Sequence, residues 1–246
     1  MKWDICSLSH PGERELNEDC VELVEEEGFL CAVLCDGLGG HEGGELASGC
    51  VCASIKKTME QRDKQLPLEE LAVLAVEKAQ EELLAEQERL GKTGAMKTTL
   101  CLLILSGDDA AAAWVGDSRM YQFRDNHVLC RTKDHSIPQY LVSTGEIKES
   151  QIRRHPDRNK LLRVMGNNWD SPRYQMWKTE KPRAGDAFLL CSDGFWDWID
   201  EKKMCFKLRF SKNAENWLQT MEKTVVRTGR GKGMDNYSAV VIKICE

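Results

Sequence analysis

A spaced set of aspartates, one arginine and a glycine-dense turn carry the chemistry that this 246-residue sequence offers. Asp36 opens the run Asp36-Gly37-Leu38-Gly39-Gly40-His41, directly after the apolar residues 29–35. A short apolar run bounded by turn residues predicts a buried strand. Asp36 then stands where the strand gives out and a turn begins, rigidly held yet reaching solvent. Taken alone, the pattern is also that of an ordinary Asp-Gly turn between strand and helix. Repetition decides between the two. Apolar residues 111–115 lead into Gly116-Asp117-Ser118-Arg119, residues 187–191 lead into Ser192-Asp193-Gly194, and Asp235-Asn236 stand just before apolar residues 239–242. Folding would bring these aspartates to one end of a sheet.

Aspartates without a matching set of histidines or cysteines select hard cations. Magnesium and manganese prefer oxygen ligands and keep several waters. One carboxylate bridging two such ions sets them roughly 3.5–4 Å apart, and water held there loses its proton more readily. That water is a nucleophile for in-line attack on a phosphoryl group. A planar guanidinium would grip the non-transferring oxygens with two parallel hydrogen bonds. Arg14, just ahead of Glu18 and Asp19, is the candidate for the grip. Asp36 is the candidate for the bridge, and its glycine turn leaves the Gly37 carbonyl free as a further ligand.

The elements that must hold these residues can be traced along the chain. Residues 3–9 and 21–24 read as strands, the second joined to the strand at 29–35 through the acidic tip Glu25-Glu26-Glu27-Gly28. Residues 44–62 read as a helix. A second begins at Pro67, with Leu68, Leu71, Ala72, Ala75, Val76, Ala79 and Leu83 on one face. Both are expected to cover a sheet. Residues 98–105 predict a buried strand, and residues 111–115, 120–123 and 128–130 an antiparallel meander with a turn at Arg124-Asp125-Asn126. From Asp134 to about Arg183 the chain is polar and irregular with short helical pieces, as in a lid or insertion. Regular structure returns at Asp186, followed by an amphipathic helix through Trp217, Leu218, Met221 and Val225 and a terminal strand. No repeat or linker divides the chain, so residues 1–246 are expected to form one domain.

Charged residues make up 30% of the chain and the net charge is −6, which argues against a general nucleic-acid-binding surface. The eleven cysteines include no Cys-x-x-Cys pair, and Cys31, Cys35, Cys101 and Cys191 lie inside apolar runs. Cysteine there acts as a small hydrophobe. The odd count, the absence of a charged-then-apolar leader and the lack of a membrane-length apolar run predict a cytoplasmic protein with no membrane partner.

Arg14 through Asp19, Asp36-Gly37-Leu38-Gly39-Gly40, Gly116-Asp117-Ser118-Arg119, Ser192-Asp193-Gly194 and Asp235-Asn236, in this order, resemble the metal-dependent protein serine/threonine phosphatases of type 2C, the PPM family. The likeness runs over nearly the whole chain and is nearest to bacterial, stand-alone catalytic domains. It implies an α+β fold, a four-layer α-β-β-α sandwich of two mostly antiparallel sheets flanked by helices, with a flap at about 136–183. It also implies a centre of two Mn2+ or Mg2+ ions with room for a third. Asp36 would bridge the pair with the Gly37 carbonyl on one ion, while Asp193 and Asp235 hold the other. Asp19 and Glu18 would contact ions or their waters, with Glu18 and Asn236 supporting the ligands from behind. Asp117 would serve the third ion, and Arg14 would bind the substrate phosphate.

The implied activity is hydrolysis of phosphoserine and phosphothreonine by direct attack of water. Phosphoproteins would be the substrates, a serine/threonine kinase the counterpart, and a monomer the working form. The competing reading is a pseudophosphatase that binds phosphoproteins without turnover. The sequence also departs from the family pattern. Lys97 replaces a glycine before Thr98-Thr99 and is expected to be an exposed lysine at a strand entrance. Leu38 stands where many eukaryotic members carry a histidine proposed as general acid, and Ser238 replaces a threonine. His41 is expected to structure the glycine turn, His135 to fix the base of the flap, and Trp196 and Trp198 to pack near the site. Asp197 and Asp200 read as surface or capping residues, and Arg158, Lys160 and Arg163 as a solvated face or an attraction for phosphoproteins.

Overall fold

The computed structural model describes residues 1–38, 43–177 and 181–245. The chain begins with β1 (Trp3–His10), β2 (Asp19–Glu26) and β3 (Phe29–Leu38), followed by α1 (Gly43–Glu60) and α2 (Leu68–Arg89). Then come β4 (Lys97–Thr98), β5 (Leu100–Ser106), β6 (Asp109–Val115), β7 (Arg119–Arg124) and β8 (His127–Arg131). The irregular segment holds α3 (Ile137–Ser143), a 3-10 turn (Glu149–Arg154) and β9 (Gln175–Trp177). The chain closes with β10 (Ala187–Cys191), α4 (Asp193–Trp196), α5 (Glu201–Arg209), α6 (Ala214–Gly229) and β11 (Tyr237–Ile244).

The strands form two antiparallel sheets. One has the order β1-β11-β10-β7-β8; the other has β2-β3-β5-β6-β9, with β4 paired to β3. Because successive strand residues face opposite sides, each sheet contributes to two cores. Leu30, Ala32 and Leu34 of β3 meet Phe188, Leu190, Val240 and Ile242 between the sheets. Cys31, Val33 and Cys35 face α1 and α2 instead. On the opposite outer side, Leu189, Cys191 and Val241 pack beneath α6, where Trp217 is fully buried and meets Phe123 edge-on at 5.3 Å. Two sheets with helices outside both are the four-layer α-β-β-α sandwich.

Several boundaries differ from the sequence expectation. Asp36 does not follow β3 but lies inside it, because the strand continues to Leu38. Gly37 and Leu38 pair with Thr98 and Lys97 of β4, and the Gly37 amide donates to the Glu18 carbonyl at 3.0 Å. The strand foreseen at 98–105 is broken at Thr99, whose amide turns to the Asp36 carbonyl at 2.9 Å. β9, inside the irregular segment, was not foreseen; it exists by pairing with the edge strand β6. Three residues carry too little pattern to announce a strand. The β7–β8 turn falls where expected, with Asp125 and Asn126 both at positive φ (52° and 60°). Gly39, Gly40 and His41, and with them the structural role expected for His41, lie outside the described residues.

Beneath the sheet ends runs a buried ion pair. Arg119 donates to both carboxylate oxygens of Asp134 at 2.9 and 2.7 Å, both side chains being buried. The guanidinium also lies 3.4 Å from the centroid of the Trp196 ring. Removing one partner leaves the other buried charge with only its longer ion-pair contact, Arg119 to Glu201 at 3.7 Å or Asp134 to Arg131 at 3.3 Å, a loss that costs about 3–5 kcal/mol. Asp134→Ala is therefore expected to lower the urea-unfolding free energy by that amount. Replacing both residues by apolar ones of similar volume is expected to recover much of it.

Candidate metal centre

The site forms where the two sheets end together. Asp19 and Asp36 sit opposite each other on neighbouring strands β2 and β3. Asp193 follows β10 and Asp235 precedes β11, both of the other sheet, while Asp117 lies in the connection from β6 to β7 that crosses between sheets. The aspartates thus come from both sheets, not from one as the spacing suggested. A cleft of about 600 Å³ is lined by Arg14, Glu18, Asp36, Gly37, Asp117, Asp193, Asp235 and Asn236, with Asn159 and Leu161 of the flap on its rim. Asp19 stands behind this lining, buried.

Each carboxylate is held from the backbone up. The Asp36 amide donates to the Thr99 hydroxyl at 2.9 Å, and its carbonyl accepts from the Thr98 hydroxyl and the Thr99 amide, both at 2.9 Å. Thr99 is tied in turn to Ser118, hydroxyl to hydroxyl, at 2.7 Å. Next to Asp36, a Cβ on Gly37 would sit 2.3 Å from the Gly44 carbonyl oxygen, so only glycine admits this crossing. Gly194 meets the same constraint, with its Cβ position 2.0 Å from the Asn236 carbonyl oxygen. That contact lays the Asp193 turn against the Asp235 turn. The Asn236 side chain donates to the carbonyls of Pro11 and Leu16 at 2.9 and 2.8 Å, and accepts from the Glu18 amide at 2.8 Å. Asn236 therefore clasps the loop that carries Arg14 and Glu18.

The carboxylates crowd one another with little positive charge nearby. Burial, and then the Asp235 and Glu18 charges, push Asp19 up to about 7 against the hydrogen bonds of Ser238 and Ser192. Burial and the charges of Asp197, Asp235 and Asp19 push Asp193 up to about 7. Burial raises Asp36 well above the usual carboxylate range, helped by Asp19, Asp193, Asp117 and Asp235. Asp117 rises for the same reason, with Asp193 and Asp134 as neighbours. Arg14 does reach into the cleft, where its Nη2 pairs with Asp235 Oδ2 at 3.0 Å.

These residues fit a centre of hard divalent ions. Asp19 Oδ1 is buried without a hydrogen-bond partner, although Oδ2 accepts from Ser192 at 2.8 Å. An unsatisfied buried carboxylate oxygen is costly unless a cation or water completes it. Among the described residues, no three acidic, histidine or cysteine side chains are gathered closely enough to hold one ion between them. Asp235 and Asp19 are also turned towards protein partners, Arg14 and Ser192.

Some supporting residues had no role in the sequence reading. Ser192 donates to Asp19 and accepts from the Ser238 amide at 2.9 Å, joining the sheets at the site. The Trp196 indole donates to the Asp117 carbonyl at 3.0 Å, so its packing role includes positioning that turn. Only their adjacency to aspartates marked them. His135 is a buried, hydrogen-bonded residue at the flap base: Nδ1 accepts from the Gly116 amide at 3.1 Å and Nε2 meets Gln175 Oε1 at 3.0 Å. Asp200 caps α5. Asp197 takes the capping place, at the C-terminal end of α4, with its side chain buried and paired with Arg158 rather than at the surface.

The protein phosphatase 2C family model matches residues 7–233. The chain belongs to the protein phosphatase 2C family. It is 31% identical over 233 residues to the serine/threonine protein phosphatase PstP of Mycobacterium tuberculosis, covering 95% of this chain but only 43% of that longer protein. It is 30% identical over 197 residues to a serine/threonine phosphatase of Listeria monocytogenes, covering 78% of this chain and 77% of the relative. The solved catalytic domain of a serine/threonine protein phosphatase PstP in complex with 2 manganese ions superposes with a TM-score of 0.84 at 27% identity, covering 99% of both chains. Stp1 of Staphylococcus aureus superposes with a TM-score of 0.88 at 25% identity, covering 100% of this chain and 96% of that one.

The raised carboxylates give a testable pH dependence in the metal-free family member. Asp19 and Asp193 bind protons more tightly folded than unfolded, between the ordinary 3.8 and about 7. Their contribution to stability is therefore fully present below the ordinary value and is lost as pH rises through about 7. With chelator present, the unfolding midpoint is expected to fall between pH 5 and pH 8, by more than in an Asp19→Asn/Asp193→Asn variant. Manganese should flatten the slope of the wild type.

Proposed function

We propose that the chain is a metal-dependent protein serine/threonine phosphatase that hydrolyses phosphoserine and phosphothreonine by direct attack of water. The observation that carries this reading is the cleft itself, in which one arginine faces enclosed carboxylates that repel one another. In this reading Asp36, Asp19, Asp193, Asp235 and the Gly37 carbonyl hold two Mn2+ or Mg2+ ions, and Asp117 holds a third. When bound, the ions supply a water acidic enough to attack at neutral pH and positive charge for the phosphoryl oxygens.

The chain's own residues bind and orient. Arg14 exchanges the Asp235 carboxylate for the non-transferring oxygens of the phosphate, which a guanidinium can bind through two hydrogen bonds. Asn236 keeps that arginine's loop in register with the Asp235 turn. Asn159 and Leu161 meet the peptide around the phosphorylated residue, so the flap at 136–183 bears on substrate choice. Leu38 has no proton to give, so the departing alcohol takes its proton from another group. Among the described residues no cysteine lines the cleft, which favours direct hydrolysis over a covalent phosphoenzyme. The finer reading includes one catalytic domain over residues 1–246, acting as a cytoplasmic monomer opposite a serine/threonine kinase. A second reading, phosphoprotein binding without turnover, is favoured only by the Arg14–Asp235 pair, which engages the phosphate-gripping group.

Hydrolysis of para-nitrophenyl phosphate and of a phosphothreonine peptide, with manganese and with chelator, separates the two. The expected outcome is turnover that needs metal. Asp193→Ala should lower kcat by about a hundredfold or more, since even outer residues of metal sites cost roughly 10–100-fold. Arg14→Ala should act mainly on KM. Tight phosphopeptide binding without metal-dependent turnover would establish the second reading instead.

A further inference from the structure

α5 presents a face that the described chain leaves uncovered. Phe206 and Phe210, one turn apart, are 66% and 65% exposed, and their ring centroids stand 4.9 Å from each other. The same helix buries Met204 and Leu208 on its other side, so the phenylalanines are surplus to its anchoring. At about 100° per residue, Phe206 falls at the middle of the outer face. Lys202 and Arg209 flank it on one side, and Lys203, Lys207 and Phe210 on the other. Arg227 of α6 adds to the same field: partial burial, and then Arg227 and Lys203, push the Lys207 ammonium below its ordinary value. Lys203 pairs with Asp200 at 2.7 Å. Lys202, Lys207, Arg209 and Arg227 have no ion-pair partner among the described residues.

This patch runs against the charge of the molecule, which is −6 as a whole. An exposed aromatic pair ringed by unpaired cations selects an anionic surface that is also apolar beneath. Neither ring lines one of the principal clefts. We propose that this face of α5 docks reversibly on an anionic membrane surface, with Phe206 and Phe210 entering the acyl boundary and the flanking cations meeting headgroup phosphates. Aromatic residues on one part of a helix with lysine and arginine beside them bind bilayer interfaces in this way. The contact is peripheral, made by one face of a nine-residue helix, and so departs from the expectation of no membrane partner, which rested on the lack of a membrane-length apolar run. It is independent of the phosphatase reading.

Sedimentation of the full chain with phosphatidylglycerol-containing vesicles, beside pure phosphatidylcholine vesicles, tests the proposal. Binding is expected to the anionic vesicles only, weakening as salt screens the headgroups. Each basic residue near an anionic leaflet contributes roughly fivefold, so Lys202→Glu/Lys207→Glu/Arg209→Glu should lose about a hundredfold or more. Phe206→Ser/Phe210→Ser should also weaken binding while leaving its salt dependence in place. Unchanged circular dichroism and unfolding midpoints would show that both variants fold. Failure of the wild type to sediment with anionic vesicles overturns the proposal and leaves an acidic protein surface as the partner of this face. Undiminished sedimentation of either variant overturns it as well.

Discussion

Mutual repulsion among enclosed carboxylates is the constraint around which this molecule is arranged. Asp19, Asp36, Asp117 and Asp193 all have protonation shifted upward by burial and by one another. A fold does not gather such groups for its own stability, since each ionised carboxylate loses water and gains a like-charged neighbour. A divalent cation reverses the sign of that interaction. In the proposed function the same crowding would draw hard ions to the cleft and set positive charge where a phosphoryl group would lie.

Holding repelling groups together requires stiff supports, and these come from backbone and small polar side chains. Thr98 and Thr99 take three hydrogen bonds with the Asp36 backbone. Ser192 and Ser238 stitch β10 to β11 and reach Asp19. Asn236 clasps the Arg14 loop. Two glycines permit backbone crossings closer than any side chain allows. Below them, Arg119 and Asp134 form a pair whose desolvation is offset by bidentate geometry and by the stacked Trp196. The departures from the family pattern leave this scaffold intact. Lys97 is partly exposed and pairs through its backbone with Leu38, while the adjoining threonines do the anchoring. Ser238 keeps the hydroxyl that a threonine would offer, bonded to Ser9 at 2.8 Å.

The chain also separates its two surfaces of interest by chemistry. The cleft is concave, acidic and suited to cations and phosphate. The outer face of α5 is basic and aromatic. The first carries the proposed action on a phosphorylated chain, the second the proposed docking surface. Different residues on different elements carry them, so each can be altered without touching the other.

What was legible in the sequence was whatever a local pattern specifies. Apolar runs and helical spacing announced the principal strands and helices, because burial of one face imposes a period on the residues themselves. Aspartates beside glycines at strand ends pointed to hard-cation chemistry, and Asp36, Asp117, Asp193 and Asp235 do line one cleft. β9 and the extension of β3 through Asp36 were not legible, since both exist by hydrogen bonding to strands distant in sequence. The same holds for the bond from Ser192 to Asp19, for the burial of Asp197 against Arg158 and for the rest of Arg14 on Asp235. Side-chain types and apolar periods specify which residues have the chemistry and which stretches are buried. Which of them meet depends on how two sheets pack and end together, and no single segment contains that information.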